Sequence, residues 1–232
     1  MFDEREKRQM KREAVLFDFD GVTVKSMEQH FDAWKNAFAE WGVHITPSEF
    51  FLLEGQGINT IAHYLGKKHG LSEEQVHAVI NRKKGYYNQF MRLEFYEHFH
   101  EMVQGLYQRN IPLAVVTGGD RSRVQKIIEE HFDHYFSALV TIDDVQKGKP
   151  HPDPFLKAAQ ILKVSPERCI VVENAPMGIQ GAKAADMTVV AITTTLSAKY
   201  LKQADYIASD FFEVEKYLYG LLQLSNASRV TD

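Results

Sequence analysis

The chain has 232 residues, 44% of them hydrophobic and 25% charged, the balance of a soluble globular protein of one or two domains with a sizeable core. A formal charge of −4 at pH 7 gives no bulk electrostatic support for nucleic-acid binding, and no apolar run is long enough to span a bilayer. The lone cysteine, Cys169, excludes an internal disulfide and fits a reducing compartment. Residues 1–12 carry charges of both signs without the apolar segment of a secretory signal, so a cytoplasmic protein is expected, and the sequon at Asn226 reads as a chance match.

The apolar run 14–17 reads as a buried strand that ends near Phe19. It leads into Asp18 and Asp20, one residue apart, and then Gly21, which lets the backbone turn and approach a ligand. Acids there are costly to bury unless cations or hydrogen bonds compensate, and the carboxyl ends of parallel strands are where α/β sheets bind ligands. The pair reads either as a metal-assisted site or as acids that only cap a turn. Phe31, Trp34, Phe38 and Trp41 recur at helical spacing, which predicts a helix over 27–42 ended by Gly42. Thr46-Pro47-Ser48-Glu49 and Ser72-Glu73-Glu74-Gln75 are capping boxes. Between them the pattern breaks at 52–57 and restarts with Ile58, Ile61, Ala62 and Leu65. The second box opens a long helix with Val76, Val79, Ile80, Tyr87, Phe90 and Leu93 on its apolar stripe. Residues 27–96 are therefore expected to form an all-helical cap inserted between the first two strands.

Beyond residue 97 strands and helices alternate. Strands are predicted over 111–117, 138–141, 170–172, 188–193 and 206–208, with helices over 101–110, 120–131, 154–163, 178–185 and 211–224, and a frayed tail. This rhythm predicts an α/β fold: a doubly wound parallel sheet with helices on both faces and right-handed crossovers. It is built from 1–26 and 97–232, with 27–96 as the cap.

Three further stretches lie at strand ends. Thr117-Gly118-Gly119-Asp120 places a hydroxyl and two glycines before a helix, which suits an anionic phosphate or, equally, an ordinary turn capped by Asp120 or Ser122. Lys149 stands in a loop stiffened by Pro150 and Pro152, as a point charge for phosphate and carboxylates or as a solvated lysine. Val171-Val172-Glu173-Asn174 repeats the opening pattern of a strand ending in oxygen ligands.

Asp-Phe-Asp-Gly-Val-Thr, Thr-Gly, Gly-Lys-Pro-His-Pro-Asp and Glu-Asn-Ala-Pro-Met-Gly, in that order, resemble the four motifs of the haloacid dehalogenase superfamily. The resemblance covers most of the chain outside the cap and points to the β-phosphoglucomutase-like and phosphatase group, on a Rossmann-like core. It implies that Asp18 is the nucleophile that forms an aspartyl phosphate and Asp20 the general acid and base. It also implies that Thr117, Gly118 and Gly119 bind the transferring phosphoryl group with Lys149. Mg2+ is implied as the cofactor, held by the Asp18 carboxylate, the Asp20 carbonyl and Asn174, with Glu173 in or beside the shell. Asn174 departs from the usual second acid of the fourth motif. An amide oxygen is still a hard donor for magnesium, but one negative charge is lost. Asp20 argues against dehalogenase and phosphonoacetaldehyde hydrolase activity, since those members lack an acid at that place.

His30 and Trp34 match the His-x-x-x-Trp of the β-phosphoglucomutase group, implying that His30 meets the site on closure; the alternative is a helix-surface histidine. In the mutase loop a lysine and an arginine flank the first glycine, whereas here Glu54 and Ile58 stand at those places. Without the arginine a bisphosphorylated intermediate loses its clamp, which favours a hydrolase over a mutase. Glu54 would repel a large anion or hold a metal-bound water, as in relatives that hydrolyse pyrophosphate; otherwise it is an exposed loop glutamate. Lys25 stands where the family usually has a hinge aspartate. The expected protein is a phosphatase of a small phosphorylated metabolite such as a sugar phosphate, phosphoglycolate or pyrophosphate, acting as a monomer or weak dimer without nucleic-acid or membrane partners. A sugar-phosphate mutase and a degenerate regulatory module are the competing expectations.

Overall fold

A computed structural model of the chain describes residues 13–132 and 134–224. The charged N-terminal stretch, the Asn226 sequon and the expected frayed tail lie outside the described residues. The core is a six-stranded, fully parallel sheet in the order β3-β2-β1-β4-β5-β6. Its strands are β1 (Ala14–Phe17), β2 (Leu113–Val116), β3 (Ala138–Val140), β4 (Cys169–Glu173), β5 (Thr188–Ile192) and β6 (Tyr206–Ala208). The first two helices are α1 (Met27–Ala39) and α2 (Pro47–Phe51). α3 (Ile58–Lys68) and α4 (Glu73–Phe90) follow, and all four lie between β1 and β2. The remaining helices are α5 (Phe99–Gln108), α6 (Arg121–His131), α7 (Asp153–Leu162), α8 (Pro176–Ala184) and α9 (Phe211–Leu222).

Alternation along the central strands splits the core into two layers. Val15, Phe17, Ile170 and Val172 face α5, α6 and α9, whereas Ala14, Leu16, Cys169 and Val171 face α7 and α8. Strands buried on both faces read as continuous apolar runs, which is why the sequence marks them so clearly. A third cluster, including Trp34, Phe38, Phe50, Leu65, Val76 and Ile80, belongs to α1–α4 and the connection between α1 and α2. Both capping boxes form, at Thr46 and Ser72.

Local differences from the expected elements have readable causes. β1 stops at Phe17, because the chain turns back after Phe19: the Thr23 and Val24 amides donate to the Phe19 carbonyl at 2.8 and 3.0 Å. α1 ends at Ala39 rather than near Gly42, leaving Trp41 39% exposed and off the buried stripe. Phe90, expected on the stripe of α4, is 59% exposed on its last turn, and Leu93 packs instead against the core layer next to α5. Among the described residues no helix is long and apolar enough to cross a membrane.

Candidate active site

In this strand order the chain winds leftward through β2 and β3 and rightward through β5 and β6, so the switch point lies between β1 and β4. A doubly wound sheet opens a crevice at the carboxyl ends of its strands there. Asp18 leaves β1, Thr117 leaves β2 and Glu173 ends β4. The residues read from the sequence therefore converge because three adjacent parallel strands end together.

Asp18 and Lys149 are only 3% and 4% exposed, and Glu173 is fully buried. Lys149 Nζ donates to Asp18 Oδ1 at 2.6 Å and to Glu173 Oε1 at 2.7 Å. Glu173 Oε2 accepts the Asn174 and Ala175 amides at 2.7 and 2.8 Å. Both oxygens of Glu173 are thus taken by protein donors, and its carboxylate braces Lys149 and the loop after β4. Gly178 leaves room for it, since a Cβ there would overlap the Glu173 carboxylate. Burial raises the Asp18 carboxyl to about 7, with Lys149 opposing and Glu173 adding to the rise. Burial lowers Lys149, but Asp18 and Glu173 outweigh it and hold the ammonium charged. Thr117 is buried beside them, its Oγ1 accepting the Gly119 amide at 3.0 Å.

Asp20 sits in a different environment. Arg123 Nη1 and Nη2 donate to its two oxygens at 2.9 and 2.5 Å, and Ser26 Oγ donates to Oδ1 at 2.6 Å. His30 Nε2 stands 3.1 Å from the same oxygen. His30 Nδ1 lies 2.8 Å from Lys83 Nζ, so the ring donates to Asp20 from Nε2 and accepts from the lysine at Nδ1. Burial pushes the Asp20 carboxyl up, but Arg123 and His30 more than reverse this and hold it well below the usual range. Burial and then Lys83 lower His30 to about 3, while burial and then Arg123 lower Lys83 to about 7. Tyr87 stacks on His30 with centroids 4.1 Å apart, and its hydroxyl accepts from Arg123 at 3.3 Å.

The sequence reading missed Ser26, Lys83, Tyr87 and Arg123. One of them left a signal. Lys83 occupies the buried stripe Val76, Val79, Ile80, Lys83, Tyr87, and a lysine on an apolar stripe needs a reason to be there. Arg123 shows nothing in its spacing; the Asp120 N-cap, which accepts the Arg123 amide at 3.2 Å, places it in the first turn of α6 beside the β2 loop.

The break between α2 and α3 enters the site. Glu54 is 2% exposed, so it is not the exposed loop glutamate of the bland alternative. Asn174 Nδ2 donates to Glu54 Oε1 at 3.2 Å and to Thr195 Oγ1 at 2.9 Å. Among the described residues, the buried side-chain polar atoms without a hydrogen-bond partner are Glu54 Oε2 and Asn174 Oδ1. Burial, then Glu173 and Asp18, raise the Glu54 carboxyl well above its ordinary range. Two orphaned oxygens beside a buried carboxylate form an incomplete set of hard donors, which fits a divalent cation of the magnesium type. The loop also closes on β2: a Cβ on Gly118 would lie 2.5 Å from the Gly55 carbonyl. Gly21 has φ +84°, and a side chain there would overlap Asn174. Above these groups lies a cavity of about 680 Å³ lined by Asp18, Asp20, Glu54, Lys83, Thr117 and Arg123, among others, with Ile58 at its wall. Lys25 lies at the chain crossing beyond it, its amide donating to the Glu94 carbonyl at 2.8 Å and its ammonium 5.5 Å from the Tyr96 ring.

Known proteins resemble this chain in sequence and in fold. The model of the haloacid dehalogenase-like hydrolase family matches residues 15–192. Validoxylamine A 7'-phosphate phosphatase of Streptomyces hygroscopicus subsp. limoneus is 30% identical over 86% of this chain and 94% of its own length. A fructose-1-phosphate phosphatase of Escherichia coli is 31% identical over 76% and 94%, and pyrophosphatase PpaX of Bacillus mycoides 28% over 85% and 93%. A solved hydrolase of family IA from Entamoeba histolytica superposes with TM-score 0.76 at 28% identity, over 91% of this chain and 99% of that one. The β-phosphoglucomutase of Clostridium difficile does so with TM-score 0.75 at 23% identity, over 90% and 97%, a likeness of fold. The chain belongs to the haloacid dehalogenase-like hydrolases.

Proposed function

We propose that the protein is a Mg2+-dependent phosphatase that transfers the phosphoryl group of a small metabolite to Asp18 and then to water. The observation that carries this reading is the buried Asp18–Lys149–Glu173 chain lying beside two unpaired oxygens, Asn174 Oδ1 and Glu54 Oε2. Asp18, the Asp20 backbone carbonyl and Asn174 would hold the cation, with Glu54 facing it from the cap. When bound, the ion supplies positive charge to the phosphoryl oxygens and keeps Asp18 ionised.

The chain's own groups perform the rest. The Asp18 oxygen not held by Lys149 attacks phosphorus, and the bond to the leaving oxygen breaks. Lys149 and the donors of the Thr117–Gly118 loop stabilise the equatorial charge. Asp20 hands a proton to the leaving oxygen in the first step and takes one from the attacking water in the second. Before that donation the Arg123 grip on Asp20 must loosen, since it engages both carboxylate oxygens. Residues 27–96 act as the cap: the loop at 54–57 seals one wall of the cavity, and His30, Lys83 and Tyr87 line another.

The relatives named as phosphatases of validoxylamine phosphate and fructose 1-phosphate support a sugar-phosphate-sized substrate, for which the 680 Å³ cavity has room. A second reading, pyrophosphate, is favoured by the inward Glu54 carboxylate. The hydrolase reading is preferred over a mutase because Ile58 lines the cavity at the loop position where the mutase carries an arginine.

Phosphate release with Mg2+ over a panel of sugar phosphates, phosphoglycolate and pyrophosphate tests both readings. Wild type should turn over at least one member, and Asp18→Asn should lose at least ~10³-fold in kcat while keeping its circular dichroism. Activity surviving in pure Asp18→Asn protein would remove the nucleophile. An unchanged pyrophosphate rate in Glu54→Ala would remove the second reading. Faster conversion of β-glucose 1-phosphate to glucose 6-phosphate than phosphate release would favour the mutase.

A further inference from the structure

Away from the cavity, α3 and the N-terminal end of α4 bring together three side chains that the phosphatase reading does not use: His63, Glu73 and His77. Their ligand atoms, one from each residue, lie within 4.8 Å of one another. His63 Nε2 is 3.0 Å from Glu73 Oε2, and the two imidazole rings meet edge to face with centroids 5.9 Å apart.

The scaffold beneath them is stiff. Ala62 and Leu65 of α3 pack against Val76 and Val79 of α4 in one buried cluster. At Gly66 the helices approach so closely that a Cβ would overlap Val76. The Ser72 capping box holds the first turn of α4, where Glu73 stands, and His77 follows one turn later on the same face. The spacing of the two helices is therefore set by packing, not by the polar side chains above it.

The hydrogen bonding of His63 points to a cation. Its Nδ1 lies 2.7 Å from the Asn59 carbonyl, which can only accept, so Nδ1 carries a proton. A neutral His63 then has a bare lone pair on Nε2, aimed at a carboxylate oxygen 3.0 Å away. Two lone pairs at that distance repel unless a second proton or a metal ion lies between them. An imidazole fixed through Nδ1 to a backbone carbonyl, with Nε2 presented outward, is the usual outer-shell arrangement of a metal-binding histidine. Ligand atoms on a tetrahedral zinc ion stand about 3.3 Å apart, so a small rotation of half-exposed side chains brings the set to that geometry without moving either helix.

We propose that His63, Glu73 and His77 form a second cation site, on the cap surface, for a borderline transition-metal ion of the Zn2+ class. Two imidazoles and a carboxylate favour Zn2+, Ni2+ or Cu2+ over magnesium, which prefers oxygen donors and retains its water. Three protein ligands leave a position for water. The ion would tie α3 to the start of α4, the helix whose later turns carry Lys83 and Tyr87 into the cavity. His77 and Lys83 lie about 9 Å apart along the helix axis, so the clamp stands apart from the reacting groups.

The test uses tag-free full-length protein stripped with a chelator and kept in excess Mg2+, with ZnCl2 titrated by calorimetry and CoCl2 followed by its visible absorption. Wild type should bind one Zn2+ per chain, show the intense bands of tetrahedral cobalt and gain thermal stability with Zn2+. His77→Ala, whose exposed side chain is not needed for folding, should weaken binding at least tenfold and lose both the bands and the Zn2+-dependent Tm rise. Asp18→Asn should keep all three. The proposal is overturned by the absence of stoichiometric binding in wild type. Undiminished binding in a His63→Ala/His77→Ala double variant overturns it too, as does binding that disappears in Asp18→Asn. None of these readouts depends on phosphatase activity, so the two readings fail separately.

Discussion

Asp18 and Asp20 are one residue apart, yet their surroundings push them in opposite directions. Asp18 meets a lysine shared with a second carboxylate and is raised by burial; Asp20 is gripped by two nitrogens of a guanidinium that, together with His30, outweighs burial. In the proposed mechanism Arg123 is thereby a positioning residue for Asp20. In Arg123→Gln the grip is lost and burial remains, so the Asp20 carboxyl rises and, since Asp20 donates its proton in the first step, the alkaline limb of the pH–kcat/KM profile moves to higher pH. A loss of about 10²-fold in kcat is expected from the misplaced carboxylate. Arg123→Lys should restore only part of it, since an ammonium cannot hold both oxygens. Glu54 supplies a second prediction. Its carboxyl is raised in the folded, metal-free protein, so between its unfolded and folded values the native state binds more protons than the unfolded chain. The contribution of Glu54 to stability is complete below its unfolded pKa and is lost as pH rises through the raised value. Metal-free Glu54→Gln should therefore melt above wild type at pH 8, with the gain vanishing near pH 4. Mg2+ should shrink the pH 8 gain by stabilising wild type more. A thermal melt at the two pH values, with and without Mg2+, checks both statements, at about 2–4 °C per kcal/mol for a chain of this size.

At the scale of elements, the glycines of the cap helices separate propensity from packing. Gly85 lies on the exposed side of α4 with nothing within 4 Å of a would-be Cβ. Gly85→Ala should stabilise the protein by about 1 kcal/mol through helix propensity alone. Gly66, near the end of α3, has the same propensity to gain, but its Cβ would overlap Val76. Gly66→Ala should cost about 1–3 kcal/mol by overpacking, and Val76→Ala in the same chain should recover part of the loss. Urea denaturation of the three variants decides between the two effects. The ends of α1 and α4 follow the same logic: the three- and four-residue spacing continues through Trp41 and Phe90, but no buried surface remains there to receive them.

The whole molecule joins two sheet-flanking layers to a separate helical cluster through the chain crossings and the loop at 54–57. Lys25 donates to the Glu94 carbonyl, and Gln29 pairs with the Arg92 backbone through 2.6 and 2.9 Å hydrogen bonds. Both tryptophans, Trp34 and Trp41, lie between the crossings. Tryptophan fluorescence therefore reports the cap, whereas far-UV circular dichroism reports mainly the larger core. With its own cluster and few polar ties to the core, the cap should lose its structure first, giving a fluorescence midpoint in urea below the dichroism midpoint. Mg2+ should raise the fluorescence midpoint more than the other, because in the proposed metal site Glu54 and Asn174 face one ion from cap and core. Coincident midpoints under both conditions would mean that cap and core unfold as one unit.

The sequence by itself determined the strands, the capping boxes and the order of the four strand-end motifs. These depend on period, on caps within four residues and on local turn chemistry, all of which are written in neighbouring positions. The parallel sheet followed, because alternating strands and helices of these lengths leave few other topologies. What tertiary structure alone decided is which distant side chains share a space. Arg123 reaches Asp20 across 103 positions, and Glu54 meets Asn174 across 120. No local pattern encodes either encounter. Lys83 stands between the two cases: its place on an apolar stripe marked it as unusual, but only the docking of α4 against α1 revealed that its partner is His30. The same division holds at Glu173, whose place at a strand end was legible while the engagement of both its oxygens was not. The grouping of Asp18, Thr117 and Glu173 was legible because these residues follow strands that end side by side; of the cap only His30 and Glu54 were, because the rest depends on how one helical cluster closes over another surface.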